Sequence, residues 1–285
     1  MAKKISQLPA ASSLTGAELV PIVQGGVNYS ATVQQISGAN SNYYTHIYAG
    51  DQLSTDTKAY DISGIGNDGT FGANLSVANA WTNPGYVSTV DPAGGATDSV
   101  IRMPNMNLDY NAGEILIGWW LGIITPEGAA VEFMGDGGFS TSYPGWGMRV
   151  STTGKAQLKL ADATNTYFSG TTTATAFAAA TVNSVGFAIN GVGKNASIWV
   201  NEVLDVNATS LNSGNAIDTR NSNTVNMGTT LPNSAASTTG IATRTRALVL
   251  IRLPAGSSMP SSATLTSTFQ ALRRNPSKLV LDSVF

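Results

Sequence analysis

From Gly50 to Leu253 the chain repeats one pattern, in which short apolar-rich runs are separated by turns of Gly, Asn and Thr. Alternation with a period of two puts successive side chains on opposite faces of a strand. Val185, Phe187 and Ile189 share one face, with Gly186, Ala188 and Asn190 on the other, and Leu158 and Leu160 alternate with Gln157 and Lys159. The strands so predicted are 99–103, 114–125, 130–135, 146–151, 156–161, 185–190, 196–200, 203–206, 224–228 and 247–253. Two of them, Ile115 to Leu121 and Ala247 to Ile251, carry apolar residues almost throughout, as central strands covered on both faces do. No long helix interrupts the series, so the pattern predicts an all-β fold, a two-sheet antiparallel jelly-roll sandwich. The Thr- and Ala-rich stretch 164–181 reads as a loop or edge hairpin. It has no fixed repeat length, which argues against a solenoid.

Both ends depart from this pattern. Leu265, Phe269 and Leu272 follow helical spacing, Pro260 suits a helix start, Arg273 and Arg274 suit the negative end of its dipole, and Asn275-Pro276 stops it. At the other end, Leu19 to Val23 and Val27 to Val33 flank Gly25-Gly26 and read as a small hairpin, too short to bury a core of its own. Polar residues 37–42 separate the two regions. The expected organisation is an N-terminal module over 1–40, a linker over 41–50, the sandwich over 51–256 and a helix with tail over 257–285. Tyr43-Tyr44-Thr45-His46-Ile47-Tyr48 has two readings, an edge strand of the sandwich or an aromatic collar in a trimer.

Composition narrows the chemistry. Charged residues make up 11% of the chain against about 25% in an average one, and the formal net charge is -2. Only Arg244/Arg246 and Arg273/Arg274 cluster positive charge, so nucleic-acid binding by counterion release is not expected. No apolar run is long enough for a membrane span and no signal-like segment opens the chain, which predicts a soluble protein made in a cytoplasm. Cysteine is absent and His46 is the single histidine, so disulfides, thiolate sites and multi-histidine zinc sites within one chain are ruled out. Three copies of His46 on a trimer axis are one reading of that residue, and a polar position in a connector is the other.

Two stretches of the sandwich carry a resemblance. Asp61-Ile62-Ser63-Gly64-Ile65-Gly66-Asn67-Asp68-Gly69 is similar to a turn near the start of laminin-G-like, concanavalin-type jelly rolls, where glycines take positive φ and Asx side chains bond the local backbone. Ile198-Trp199-Val200-Asn201-Glu202 resembles that family's paired strands and turn, with Glu202 standing where glycine is usual, which predicts a looser turn. The N-terminal stretch resembles the attachment segment of tailed-bacteriophage tail fibres and tailspikes. That likeness rests on Ile5, Leu8, Pro9, Leu14, Thr15, Gly16, Glu18, Leu19, Pro21, Val23, Gly25 and Gly26. It implies docking on other virion proteins, a virion location after synthesis in the bacterial host, and a homotrimer. The function expected is structural: a tail fibre or appendage that displays its jelly roll, for adhesion to host-surface glycan. A head fibre or capsid decoration protein is the alternative, and a glycan depolymerase a further one.

Catalytic constellations are sparse. Jelly-roll endoglycanases alternate carboxylates as Glu-x-Asp-x-Glu on one strand. The nearest approach here, Glu132 and Asp136, is two pleats apart with Met134 between. His46 lacks a Gly-x-Ser-x-Gly elbow, and no Gly-Lys-Ser/Thr follows the glycines of 64–66. The chain is therefore expected to be no enzyme and to need no cofactor. Calcium at the sandwich rim would use Asp68, Asp136 or Asp162, residues that equally serve as turn formers. Glycan contact would use Trp81, Tyr86, Tyr143 and Trp146, whose Gly/Pro-rich settings suit stacking on sugar rings and equally suit plugging the ends of a sandwich.

Overall fold

A computed structural model describes residues 19–24, 27–32, 43–73, 75–81, 85–89, 100–124, 131–137, 144–162, 166–171, 176–177, 180–211, 219–221, 223–228 and 243–278. The chain divides into two compact units, Met1–Asn40 and Ser41–Phe285. In the first, β1 (Leu19–Gln24) and β2 (Val27–Thr32) pair antiparallel from Leu19↔Thr32 to Gln24↔Val27, the hairpin expected around Gly25-Gly26.

The second unit begins with β3 (Tyr43–Tyr48), β4 (Lys58–Ala59), β5 (Gly69–Phe71), the one-turn helix α1 (Val77–Ala80), β6 (Val87–Ser88) and β7 (Ile101–Met103). It continues through β8 (Ile115–Ile124), β9 (Val131–Gly135), β10 (Gly145–Val150), β11 (Ala156–Ala161), β12 (Thr166–Thr171) and β13 (Asn183–Asn190). β14 (Asn195–Val200), β15 (Val203–Ser210), β16 (Val225–Met227), β17 (Thr243–Leu253) and the helix α2 (Ser262–Arg274) complete it. One antiparallel sheet has the order β12-β11-β10-β9-β16-β7-β5-β4, and the other β15-β14-β13-β8-β17-β3 with β6 also on β17. The fold is the expected all-β sandwich with one C-terminal helix.

The core between the sheets is held by cross-sheet aromatic pairs, Trp120 with Phe133 at 5.1 Å and Trp146 with Phe187 at 5.3 Å between ring centroids. Val185, Phe187 and Ile189 point into it, as their alternation requires. A second apolar layer lies on the outer face of the β8/β17 sheet, where Ile117, Trp119, Val249 and Ile251 meet Leu265, Phe269 and Leu272 of α2. The almost wholly apolar β8 and β17 are thus covered on both faces, and each fully buried side chain of this size contributes about 1.5–3 kcal/mol. Ser261 caps α2, its hydroxyl accepting from Thr264 N–H at 3.1 Å.

Of the two readings of Tyr43–Tyr48, the edge strand is the one found: it is β3, paired along β17 and buried except at Tyr48. It lies inside the span 41–50 that the expected organisation assigns to a linker. One detail differs from expectation. The turn after Asn201 is not loose: Val200 pairs with Val203, with Asn201 and Glu202 both at positive φ, +48° and +62°. Asn201 Oδ1 accepts from Ser184 N–H at 3.0 Å and the Glu202 carboxylate accepts from the Ser184 hydroxyl, which ties down a conformation that glycine adopts more readily.

Candidate functional site

Burial decides where the sequence candidates can act. Trp146, at the start of β10, is fully buried in the inter-sheet core. Trp81 follows α1, is 9% exposed, donates its indole N–H to Asp56 O at 2.7 Å and lies 6.1 Å from Phe71. Both are core aromatics, unavailable for stacking on a sugar. Tyr86 is half-buried at the start of β6, and Tyr143 lies outside the described residues. Ile5, Leu8, Pro9, Leu14, Thr15, Gly16, Glu18, Gly25 and Gly26 lie outside them as well, while Leu19, Pro21 and Val23 are backbone positions of β1.

The Asp61 turn is a structural lock. Its carboxylate accepts from His46 N–H at 2.8 Å, Ser63 N–H at 2.9 Å, Ser63 hydroxyl at 2.7 Å, Gly66 N–H at 3.2 Å and Asn67 N–H at 2.9 Å. Gly64 and Gly66 take φ of +84° and +88° to make that convergence possible. Asp68 accepts from Asp61 N–H at 3.0 Å and pairs with Lys58 at 3.5 Å, so its oxygens serve the same loop. His46 is fully buried, and one ring nitrogen, Nε2, sits 2.7 Å from Pro276 O. Burial lowers its pKa, against the opposing pull of the Pro276 carbonyl and of Asp61, so the ring is held neutral with Nε2 donating.

Asp136 sits just past β9, fully buried within a ring of amides. Its Oδ1 accepts from Trp146 N–H at 2.9 Å, and the Asn221 amide bonds the carboxylate as well. Asn223 Nδ2 donates to Asp136 O at 3.1 Å, and Asn105 Nδ2 donates to the carbonyls of Asn221 and Asn223 at 2.8 and 2.6 Å. Gly145 closes the ring: its φ is +137°, and a Cβ there would overlap Asp136 Oδ1. Burial pushes the Asp136 carboxyl up to about 7 despite these bonds. The groups that reach Oδ1 are donors, the reverse of the oxygen shell that calcium needs. Among the described residues no three His, Cys, Asp or Glu side chains converge as metal ligands. Asp162 is also buried. Glu132 is half-buried opposite Arg149, in a different setting from Asp136, so the two do not form the facing carboxylate pair of a retaining glycosidase.

A polar cluster among the described residues lies on the surface at β17. β17 has a register shift between Thr245 and Ala247 that leaves Arg246 as an extra residue. Thr245 is buried and accepts from the Trp120 indole at 2.9 Å, while Ala247 belongs to the layer beneath α2. Ala247 pairs with Tyr48 of β3 and Thr245 with Val87 of β6, so Arg246 stands where one edge partner gives way to the next. Its guanidinium lies 5.8 Å from the Tyr86 ring centroid. Hydrogen bonding to Tyr48 and to Tyr86 outweighs partial burial and raises its pKa further. Arg244, opposite Ser88, is exposed. Arg244/Arg246, Tyr48 and Tyr86 each stand out in the sequence separately, and only the pairing of β17 with β3 and β6 brings them together.

No protein-family model matches the chain, and no curated protein matches its sequence. Solved structures do. Trypanosoma rangeli sialidase in complex with 2-keto-3-deoxy-D-glycero-D-galacto-2,3-difluoro-nononic acid is similar with a TM-score of 0.53 at 12% identity, over 90% of this chain and 43% of that one. The same enzyme with 2,3-difluorosialic acid, as a covalent intermediate, gives 0.53 at 11% identity over 90% and 43%. The likeness is one of fold. This chain spans less than half the length of the sialidase chains it matches. The CBM40 module of Ruminococcus gnavus IT-sialidase bound to α2,3 sialyllactose matches at a TM-score of 0.43 and 14% identity, over 56% of this chain and 84% of that one, too distant to support an argument. Among the described residues no helix is long and apolar enough to cross a membrane.

Proposed function

We propose that this chain is a structural component of a tailed-bacteriophage virion, in which residues 1–40 fasten the protein to the particle and the sandwich is displayed for adhesion to host-surface glycan. The observation that carries the reading is the division of the chain at Asn40 into a small hairpin unit and a sandwich with two apolar layers of its own. A unit of 1–40 is too small to be stable through its own core, which suits a segment that folds against a partner. The resemblance of Ile5 to Gly26 to phage attachment segments supplies the partner class. Adhesion without catalysis fits a single histidine that is buried and bonded to Pro276, and the separate settings of Glu132 and Asp136.

Deletion of residues 1–40 tests the reading. The truncated protein should fold and be absent from purified particles assembled in its presence, whereas the full chain is incorporated. Incorporation of the truncated protein at the full-length level would overturn the attachment role.

A further inference from the structure

The adhesion reading leaves open which sugars the sandwich takes, and the bulge on β17 bears on that question. Arg244 and Arg246 flank the inward-facing Thr245 on the strand, the first exposed and the second half-buried. Arg252 pairs with Glu114, Arg220 with Asp109 and Lys58 with Asp68, whereas neither Arg244 nor Arg246 has a carboxylate partner among the described residues. In a chain with 11% charged residues, two neighbouring arginines without an anion are an unbalanced positive feature.

The surroundings of Arg246 add shape to that charge. The bulge fixes its backbone at the junction of β3 and β6, its guanidinium lies 5.8 Å from the Tyr86 ring centroid, and it is hydrogen-bonded to Tyr48 and to Tyr86. A side chain held this way loses less rotamer freedom on binding than a free surface arginine does. Its planar fork matches a carboxylate in a two-bond geometry, whereas a sugar hydroxyl takes only one such bond. Tyrosine rings next to that fork offer apolar faces for a pyranose and phenols for its hydroxyls.

We propose that Arg246, framed by Tyr48 and Tyr86 and assisted by Arg244, is a recognition point for the carboxylate of an acidic sugar, so that the glycan bound is an acidic one. The inference rests on the adhesion reading and names its ligand class. Uronic and nonulosonic acids share the chemistry, and the test separates them.

The full chain is titrated with a galacturonate trisaccharide, a sialyl trisaccharide, neutral maltotriose and polyphosphate. Binding of one or both acidic sugars, without binding of maltotriose, is the expected result. Arg246→Lys keeps the charge but loses the fork, and should weaken that binding about tenfold to a hundredfold. Tyr86→Phe and Arg244→Gln, both at solvent-accessible positions, should each weaken it by a smaller factor. They keep the test decisive if the Arg246 variant does not fold. Binding of maltotriose as tight as that of the acidic sugars, or acidic-sugar binding unchanged in all three variants, would overturn the site while leaving adhesion intact. Equal binding of polyphosphate, weakened alike by salt in every variant, would show attraction of any polyanion and would also overturn it. Incorporation into particles is measured separately, so failure of the attachment role and failure of this site give different results.

Discussion

Burial holds Asp136 protonated to about pH 7, well above the 3.8 of a free aspartate, and the sign of the consequence follows from proton counting. Between those two values the folded protein keeps a proton that the unfolded chain has released, so stability falls as pH rises from about 4 to about 7 and levels off beyond. Asp136→Asn keeps the oxygen that accepts from Trp146 and cannot ionise. Urea unfolding at pH 4.5 and pH 8 should show the wild type losing on the order of a few kcal/mol relative to this variant across the interval. His46 acts in the opposite sense. Its folded pKa is below 6.5, so the unfolded chain takes up a proton first and stability drops as pH falls under that value. Comparison with the Asn variant isolates the Asp136 part. At this scale the sequence was legible where a side chain answers to its neighbours in the chain: Asp61, with Ser63, Gly66 and Asn67 close by, reads correctly as a turn lock. At Trp146 the sequence left two readings open, a Gly/Pro-rich setting suited to a sugar and a strand over 146–151, and the alternation of Trp146, Met148 and Val150 as the buried face of β10 decides for the strand.

The contact between α2 and the sheet depends on the smallness of Gly186 on β13. A Cβ there would overlap the Phe269 ring, which also lies edge-on to Trp199 at 5.2 Å. Gly186→Ala should cost about 1–3 kcal/mol by overpacking, with the thermal midpoint lowered by roughly 2–4 °C per kcal/mol in a chain of this size. A weakened near-ultraviolet signal from Trp199, whose indole donates to Thr266 at 2.9 Å, would place the damage at the helix. An unchanged midpoint would mean that α2 does not rest on this face in solution. The helix and the long strands were legible because each repeats its period several times: β8 and β17 as apolar runs, and α2 through Leu265, Phe269 and Leu272. β4, β5 and β6 were not, since two or three residues cannot display a period and exist as strands only through their partners. The Arg246 cluster was hidden for the same reason, because a bulge and two pairings assemble it.

Both apolar layers of the sandwich are built from residues of the second unit, so its stability should be its own. A protein of residues 41–285 is expected to unfold at the same denaturant midpoint as the main transition of the full chain, followed by tryptophan fluorescence, since all five tryptophans lie beyond residue 40. A large fall in the midpoint would show that the hairpin unit is needed for the sandwich. At this scale the all-β class and the two-part organisation were readable from periodicity and length, whereas the order of strands within each sheet was not, since pairing joins residues as distant as Tyr48 and Ala247. The place of β3 has a mechanical consequence. The chain enters the sandwich at Tyr43, and the same strand ends at Tyr48 beside Arg246, six residues laddered to β17 between Arg252 and Ala247. A pull through the N-terminal unit, resisted by a ligand held at Tyr48 and Arg246, would run along the axis of β3 and across its hydrogen bonds, which lie perpendicular to the strand. The ladder then carries the load in shear, with its bonds strained together instead of opening one after another like a zip.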